Sequence, residues 1–168
     1  MDKMQLTHSF KQKARSLGFS FVGFARSEEL TEEGRRLEAW LNKGYQGKMQ
    51  YLENHFEKRI NPSLLVEGTK SVITLLYNYY NPDTQTDPEA PKISMYAYGA
   101  DYHDVIRKKL NELLEFLRQE VGHVQGRGFV DSAPIMEREW AKRSGLGWIG
   151  KHTSVSYTHL TLPTTPYV

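Results

Sequence analysis

The chain contains no cysteine, and that single absence removes several chemistries. Its side chains can build no disulfide framework, thiolate zinc site, thiol nucleophile or cysteine-held iron–sulfur cluster. Long apolar runs are missing as well. The longest, Val72–Tyr77, is interrupted by Thr74 and falls far short of the roughly 20 residues that a membrane span needs. Met1-Asp2-Lys3 leads into mixed polar sequence without the apolar core of a secretory signal, so a soluble, cytoplasmic chain with no membrane partner is expected. Charge of one sign is scarce too: 22 basic and 20 acidic residues leave a net +2, too little to argue for a nucleic-acid partner by itself.

What is present points to an ordinary folded domain. The 168 residues are 39% hydrophobic, 25% charged and 12% aromatic, enough for one domain with a single moderate core. Leu6, Phe10, Ala14 and Leu17 predict an amphipathic helix ending near Gly18, and FSFVGFA at 19–25 a buried strand. Ser27 with Glu28 and Glu29 reads as a helix start, and Leu37, Trp40 and Leu41 give that helix its apolar face. A short helical stretch is expected over 49–55. KSVITLLYNYY at 70–80 is the strongest strand, followed by a polar loop over 81–91 and a second strand over 93–98. Val105, Ile106, Leu110, Leu113, Leu114 and Leu117 form one stripe of a long helix over 101–120. A short strand at Phe129-Val130 should run into a helix opening at Pro134 and ending near residue 144. Strands alternating with helices give an α+β fold of mixed α/β layers.

The last fifteen residues, SVSYTHLTLPTTPYV, carry no charge, while all 42 charged residues lie in the first 153 positions. At the chain's own charge density such a run arises by chance about one time in a hundred. A natural polar tail is one reading. The other is text of a different source from Ser154 on, because THLTLPTT resembles translated sequencing adaptor.

The most informative stretch is FVDSAPIMEREWAKRSGLGWIGKHT at 129–153. Asp131 is expected at a strand-to-helix junction, where ligands commonly bind, and Gly145, Gly147 and Gly150 permit close approach of something large and flat. Against this stands a plain helix cap and an ordinary glycine turn. His103 in DYHD reads as a solvated or capping histidine rather than a metal ligand, and His8, His55, His123, His152 and His159 lack metal-site spacing. Trp40, Trp140 and Trp148 read as core or pocket walls.

VDSAPIMER followed by GLGWIGKHT resembles the signature of the epoxyqueuosine reductases. GYQGKMQYLENHFEKRINP (44–62), SVITLLYNYY (71–80) and YAYGADYHDVIRKKL (96–110) agree in order and spacing; His152 stands where many members have asparagine. The resemblance implies a cobalamin-binding, nitroreductase-like domain over residues 1–153, with a central sheet flanked by helices and residues 154–168 outside the family pattern. It also implies the activity: a tRNA anticodon loop carrying epoxyqueuosine as substrate, reduced to queuosine by a monomer drawing on an external electron donor. Asp131 matches the family's proton donor. A helix N-terminus just behind it would favour the charged form, and a covering ligand the neutral one. Arg59 matches an arginine at the corrin's polar edge, and Ser94 and Tyr98 match cofactor-lining positions. Lys142, Arg143, Lys151 and Arg127 are candidate phosphate contacts, with a solvated helix face as the alternative. The family's two 4Fe–4S clusters sit on a ferredoxin-like module held by cysteine runs, which this chain lacks. It therefore resembles the amino-terminal cobalamin-binding half. A non-catalytic corrinoid carrier is the alternative function, and a flavin-binding nitroreductase-like domain a weaker third.

Overall fold

The computed structural model describes residues 2–83, 85–150 and 155–156. Helices dominate: α1 (Lys3–Ser16), α2 (Thr31–Asn42), α3 (Phe56–Ile60), α4 (Tyr102–Val121) and α5 (Glu137–Arg143). Strands β1 (Phe19–Arg26) and β2 (Ser71–Tyr77) pair in one two-stranded sheet. Strands β3 (Trp148–Ile149) and β4 (Val155–Ser156) pair antiparallel in another, Trp148 opposite Ser156 and Ile149 opposite Val155. This is the expected mixture of helix and sheet, with sheets smaller than the sequence predicts. The expected tail from Ser154 on lies outside the described residues except for β4.

The chain divides into two compact units. Met1–Phe21 with Leu76–Ser132 forms the first, and Val22–Leu75 with Ala133–Val168 the second. In the first, α1 packs along α4, and Phe10, Ala14, Phe19 and Leu113 are buried. Asp2 and Gln5 close a capping box on α1. At its other end the Lys109 ammonium donates to the Leu17 carbonyl at 2.6 Å, a cation where the helix dipole leaves unpaired carbonyls. The same ammonium lies 5.3 Å from the Tyr77 ring centroid.

In the second unit Leu30, Ile60 and Trp140 form the core, with Ala25, Phe56, Val72, Ile135 and Met136 packed on it. The Leu30 N–H donates to the Ile60 carbonyl at 2.8 Å. Glu33 is the one charged residue described as buried. Arg143 answers it, donating to Glu33 Oε2 at 3.1 Å and also to Glu28. Burial pushes the Glu33 carboxyl up, but its own backbone N–H and the Arg143 charge outweigh this and hold it below the ordinary carboxylate value.

Five expectations are corrected. The second helix begins at Thr31, not Ser27, because Ser27 N–H donates to the Lys70 carbonyl and buried Leu30 sits at the cap. The helical stretch expected over 49–55 is a 3-10 turn at Gln50–Leu52, ended before α3 by His55 in the left-handed region at φ 58°. Residues 93–98 make a 3-10 turn at Met95–Ala97 rather than a strand. Ala97 and Tyr98 donate to Ser94 and Met95, so the backbone satisfies itself and β propensity has no partner strand to express it. Phe129-Val130 is not a strand, and the last long helix starts at Glu137, not Pro134. Asp131 at φ 51° breaks the extended path, the residue before Pro134 is kept out of helical space, and Glu137 and Glu139 supply the acidic first turn that a helix start favours.

Two stability predictions follow from the second unit. A Cβ on Gly23 would lie 2.6 Å from the Ser144 Cβ and 2.7 Å from its carbonyl oxygen. Gly23→Ala is therefore expected to cost about 1–3 kcal/mol, read as a fall of several degrees in Tm. Arg143→Gln is expected to cost about 2 kcal/mol at pH 7, below the ~3–5 of a fully buried pair because Arg143 is partly solvated. The lowered Glu33 stabilises the fold above its unfolded value of 4.5 and loses that contribution as pH falls. The gap between Arg143→Gln and the parent chain should thus narrow below pH 4.5 in denaturant titrations.

Candidate functional site

The first unit gathers a carboxylate, a phenol and a run of aromatic faces. Helix α4 opens at Asp101, whose Oδ1 accepts the His103 backbone N–H at 2.9 Å and faces His103 Nδ1 at 2.8 Å. The backbone bond first, then the side-chain one, hold the Asp101 carboxyl below its ordinary range. A helix start fixed this way fixes Tyr102, its first residue. The Tyr102 hydroxyl donates to Asp131 Oδ2 at 2.5 Å, within the short range of O–H donors on carboxylates. That bond first, and loss of solvent second, push the phenol up to about 12.

Asp131 is exposed and sits in a bend. Its left-handed φ of 51° is uncommon outside glycine but tolerated by Asp and Asn, and the next N–H, of Ser132, donates back to the Val130 carbonyl at 2.5 Å. Rings continue away from the carboxylate. Tyr102 stacks on His103 with centroids 4.1 Å apart, meets Tyr96 edge-on at 6.0 Å, and Tyr96 meets Tyr79 edge-on at 6.4 Å. Tyr79 and Tyr96 are 63% and 53% exposed, so flat groups have room to stack on them.

Of the residues read from sequence, Asp131, Ser94 and Tyr98 fall in this unit. Ser94, exposed, and Tyr98, half-buried, flank the 3-10 turn that carries Tyr96. Asp131 does not stand where a strand meets a helix; α5 begins at Glu137, and no helix N-terminus lies just behind the carboxylate. Arg59 belongs to the second unit. Its Nη2 donates to the Tyr51 carbonyl at 2.7 Å, burial lowers its pKa, and its Nε is buried with no hydrogen-bond partner among the described residues.

His103 turns its ring nitrogen to Asp101. Among the described residues no group of three or more His, Cys, Asp or Glu is placed to hold a metal ion, and no helix is long and apolar enough to cross a membrane. Arg143 is committed to Glu28 and Glu33, Lys142 faces Glu139 at 3.6 Å, and Arg127 lies over the Phe129 ring. Lys151 and His152 lie outside the described residues. Trp140 is core, whereas Trp148 is 45% exposed. Tyr102 was missed by sequence reasoning. It stands inside DYHD, where attention fell on the histidine; its carboxylate partner lies 29 positions away.

The comparisons with known proteins agree with one another. The family model "Epoxyqueuosine reductase QueG, DUF1730" matches residues 59–132. An epoxyqueuosine reductase of Cyclobacterium marinum is 54% identical over 149 residues, covering 88% of this chain and 48% of the relative. Among solved structures, an epoxyqueuosine reductase with a tRNA-Tyr epoxyqueuosine-modified stem loop superposes with TM-score 0.79 at 26% identity, covering 93% of this chain and 42% of the other. The Bacillus subtilis enzyme, captured with an aspartate-bearing catalytic loop swung out of the active site, gives TM-score 0.77 at 26% identity, covering 92% of this chain and 42% of the other. The aspartate, its tyrosine donor and the aromatic run thus occur in a fold shared with solved epoxyqueuosine reductases. The chain belongs to the epoxyqueuosine reductase family, and it spans about half the length of the relatives it matches.

The phenol's shift gives a direct check. In a chain labelled with 13Cζ-tyrosine, Tyr102 should stay protonated through pH 11 and titrate near 12. Asp131→Asn, which suits the same left-handed backbone, should bring it back toward the ordinary 10. Because the folded value is the raised one, the stabilisation from this bond is complete below pH 10 and is lost as pH rises through about 12.

Proposed function

We propose that this chain is the cobalamin-binding catalytic half, over residues 1–153, of an enzyme that reduces epoxyqueuosine to queuosine at the wobble position of tRNA. The observation that carries the proposal is Asp131, exposed in a bend and held at one carboxylate oxygen by Tyr102, in a chain 54% identical to a named epoxyqueuosine reductase.

Conversion of an epoxide to an alkene consumes two electrons and two protons and releases the oxygen as water. Cobalamin, when bound, supplies a cobalt centre able to pass electrons to the epoxide carbon. The protein's part is to bind, orient and deliver a proton. Asp131, in its protonated form, donates to the departing epoxide oxygen; general acid catalysis of this kind contributes about 10²–10⁴-fold.

The residues present fit a corrin. Arg59 retains a buried Nε donor without a partner, the group a propionamide oxygen would satisfy, and its guanidinium fork suits such oxygens. Gly145, at φ 75°, has nothing among the described residues within 4 Å of where a Cβ would stand. In the first unit, taken by itself, Ser94 and Tyr98 on the 3-10 turn are the candidate cofactor-lining residues. The exposed faces of Tyr79 and Tyr96 suit unstacked anticodon bases. Arg143, held by Glu28 and Glu33, is not among the residues on which the tRNA reading rests.

Iron–sulfur clusters do not fit this chain, which has no cysteine; the ferredoxin-like module of the family would have to be supplied elsewhere, or replaced by an external reductant. The second reading is a corrinoid carrier without catalysis.

Titration with cob(II)alamin at micromolar protein should change its visible spectrum and saturate at one equivalent; an unchanged spectrum would refute the cofactor assignment. With titanium(III) citrate as electron donor, the loaded chain should convert epoxyqueuosine tRNA. Asp131→Asn should cut turnover at least a hundredfold while cobalamin still binds. Binding without turnover in the parent chain would instead establish the carrier reading, and full turnover in Asp131→Asn would exclude Asp131 as the donor.

A further inference from the structure

We infer that Tyr102 is a positioning residue for Asp131: its hydroxyl latches the carboxylate and thereby holds the 130–132 bend in the form that presents Asp131. The inference deepens the functional reading above and rests on it for its catalytic consequence, but its structural part stands on its own.

Three observations carry it. The Tyr102 hydroxyl is 2.5 Å from Asp131 Oδ2, so the carboxylate is tied at a defined oxygen to a side chain of α4. The bend it restrains is tight, with Asp131 at φ 51° and Ser132 N–H folded back onto the Val130 carbonyl, a left-handed conformation that Asp tolerates but that nothing in the aspartate itself fixes. Tyr102 has supports of its own. It is the first residue of α4 behind the Asp101 cap, sandwiched by the His103 ring at 4.1 Å and the Tyr96 ring at 6.0 Å. A supported donor at one end of a tight bend sets which way the bend lies. The Bacillus subtilis relative, with its aspartate-bearing catalytic loop swung out of the active site, belongs to a family in which such a loop has more than one position. A restraint on that loop therefore has something to select.

Tyr102→Phe removes the hydroxyl and keeps the ring, so the stacking on His103 and the edge contact with Tyr96 survive. In the unliganded chain, amide hydrogen exchange at Ser132 should rise at least tenfold in Tyr102→Phe, with the α4 amides unchanged. Unaltered exchange at Ser132 would overturn the latch. In the cobalamin-loaded, titanium-reduced chain, Tyr102→Phe should lower kcat at least tenfold and leave KM for tRNA within twofold. The double variant with Asp131→Asn should be no slower than Asp131→Asn alone, since the tyrosine acts only through the aspartate. Equal kcat in parent and Tyr102→Phe, or losses that multiply in the double variant, would refute the positioning role. If the parent chain neither binds cobalamin nor turns over, the functional reading fails, and the exchange measurement alone decides the latch.

Discussion

A phenol reaching a carboxylate oxygen 29 positions further along the chain, at 2.5 Å, turns an exposed aspartate on a bend into an oriented one, and the support for that single bond runs back through the whole first unit. Tyr102 is placed because α4 starts at a fixed residue, and α4 starts there because Asp101 accepts the His103 N–H. The helix lies where it does because it packs on α1 through buried Phe10, Ala14 and Leu113, with Lys109 tying it to the end of α1. Apolar burial supplies the energy and hydrogen bonds at the helix ends supply the register. Slipping α4 by one residue would bring His103 or Asp101 to the place of the phenol.

The second unit applies the same economy to charge. Glu33 is buried in a unit whose core is Leu30, Ile60 and Trp140, and a carboxylate there is tolerable only because the Arg143 fork reaches both it and Glu28. Arg59 adjoins buried Ile60 on the five-residue α3, so the core that holds Ile60 also fixes where the guanidinium begins. Its bond to the Tyr51 carbonyl closes the intervening loop and leaves Nε unpartnered.

Much of this was legible in the sequence where periodicity is long. The stripe from Val105 to Leu117 gave α4 almost to the residue, and the β-branched run after Lys70 gave β2, because many side chains vote together in such segments. Short segments misled. Residues 93–98 have strand-like composition, but among the described residues no strand pairs with them, and they close into a 3-10 turn. Pro134 reads as a helix start, yet the left-handed turn at Asp131 spends those residues on a bend and delays α5 to Glu137. Asp131 itself was legible through family resemblance, whereas Tyr102 was not, since a donor's value depends on a partner that only the fold brings near. Arg143 shows the reverse error. It reads as a free surface cation in sequence, and its two carboxylate partners lie more than a hundred positions away.

The central claim is that the Tyr102–Asp131 pair belongs to a corrin-binding active centre. Cob(II)alamin is paramagnetic, so it broadens the resonances of nuclei close to it. The most direct test is the 13Cζ signal of Tyr102 as cob(II)alamin is added to one equivalent, with the visible spectrum reporting saturation. The account predicts that this signal broadens beyond detection while the methyl signals of Leu113 in the α1–α4 core remain. A Tyr102 signal that keeps its linewidth at saturation would place the corrin away from the pair and contradict the account.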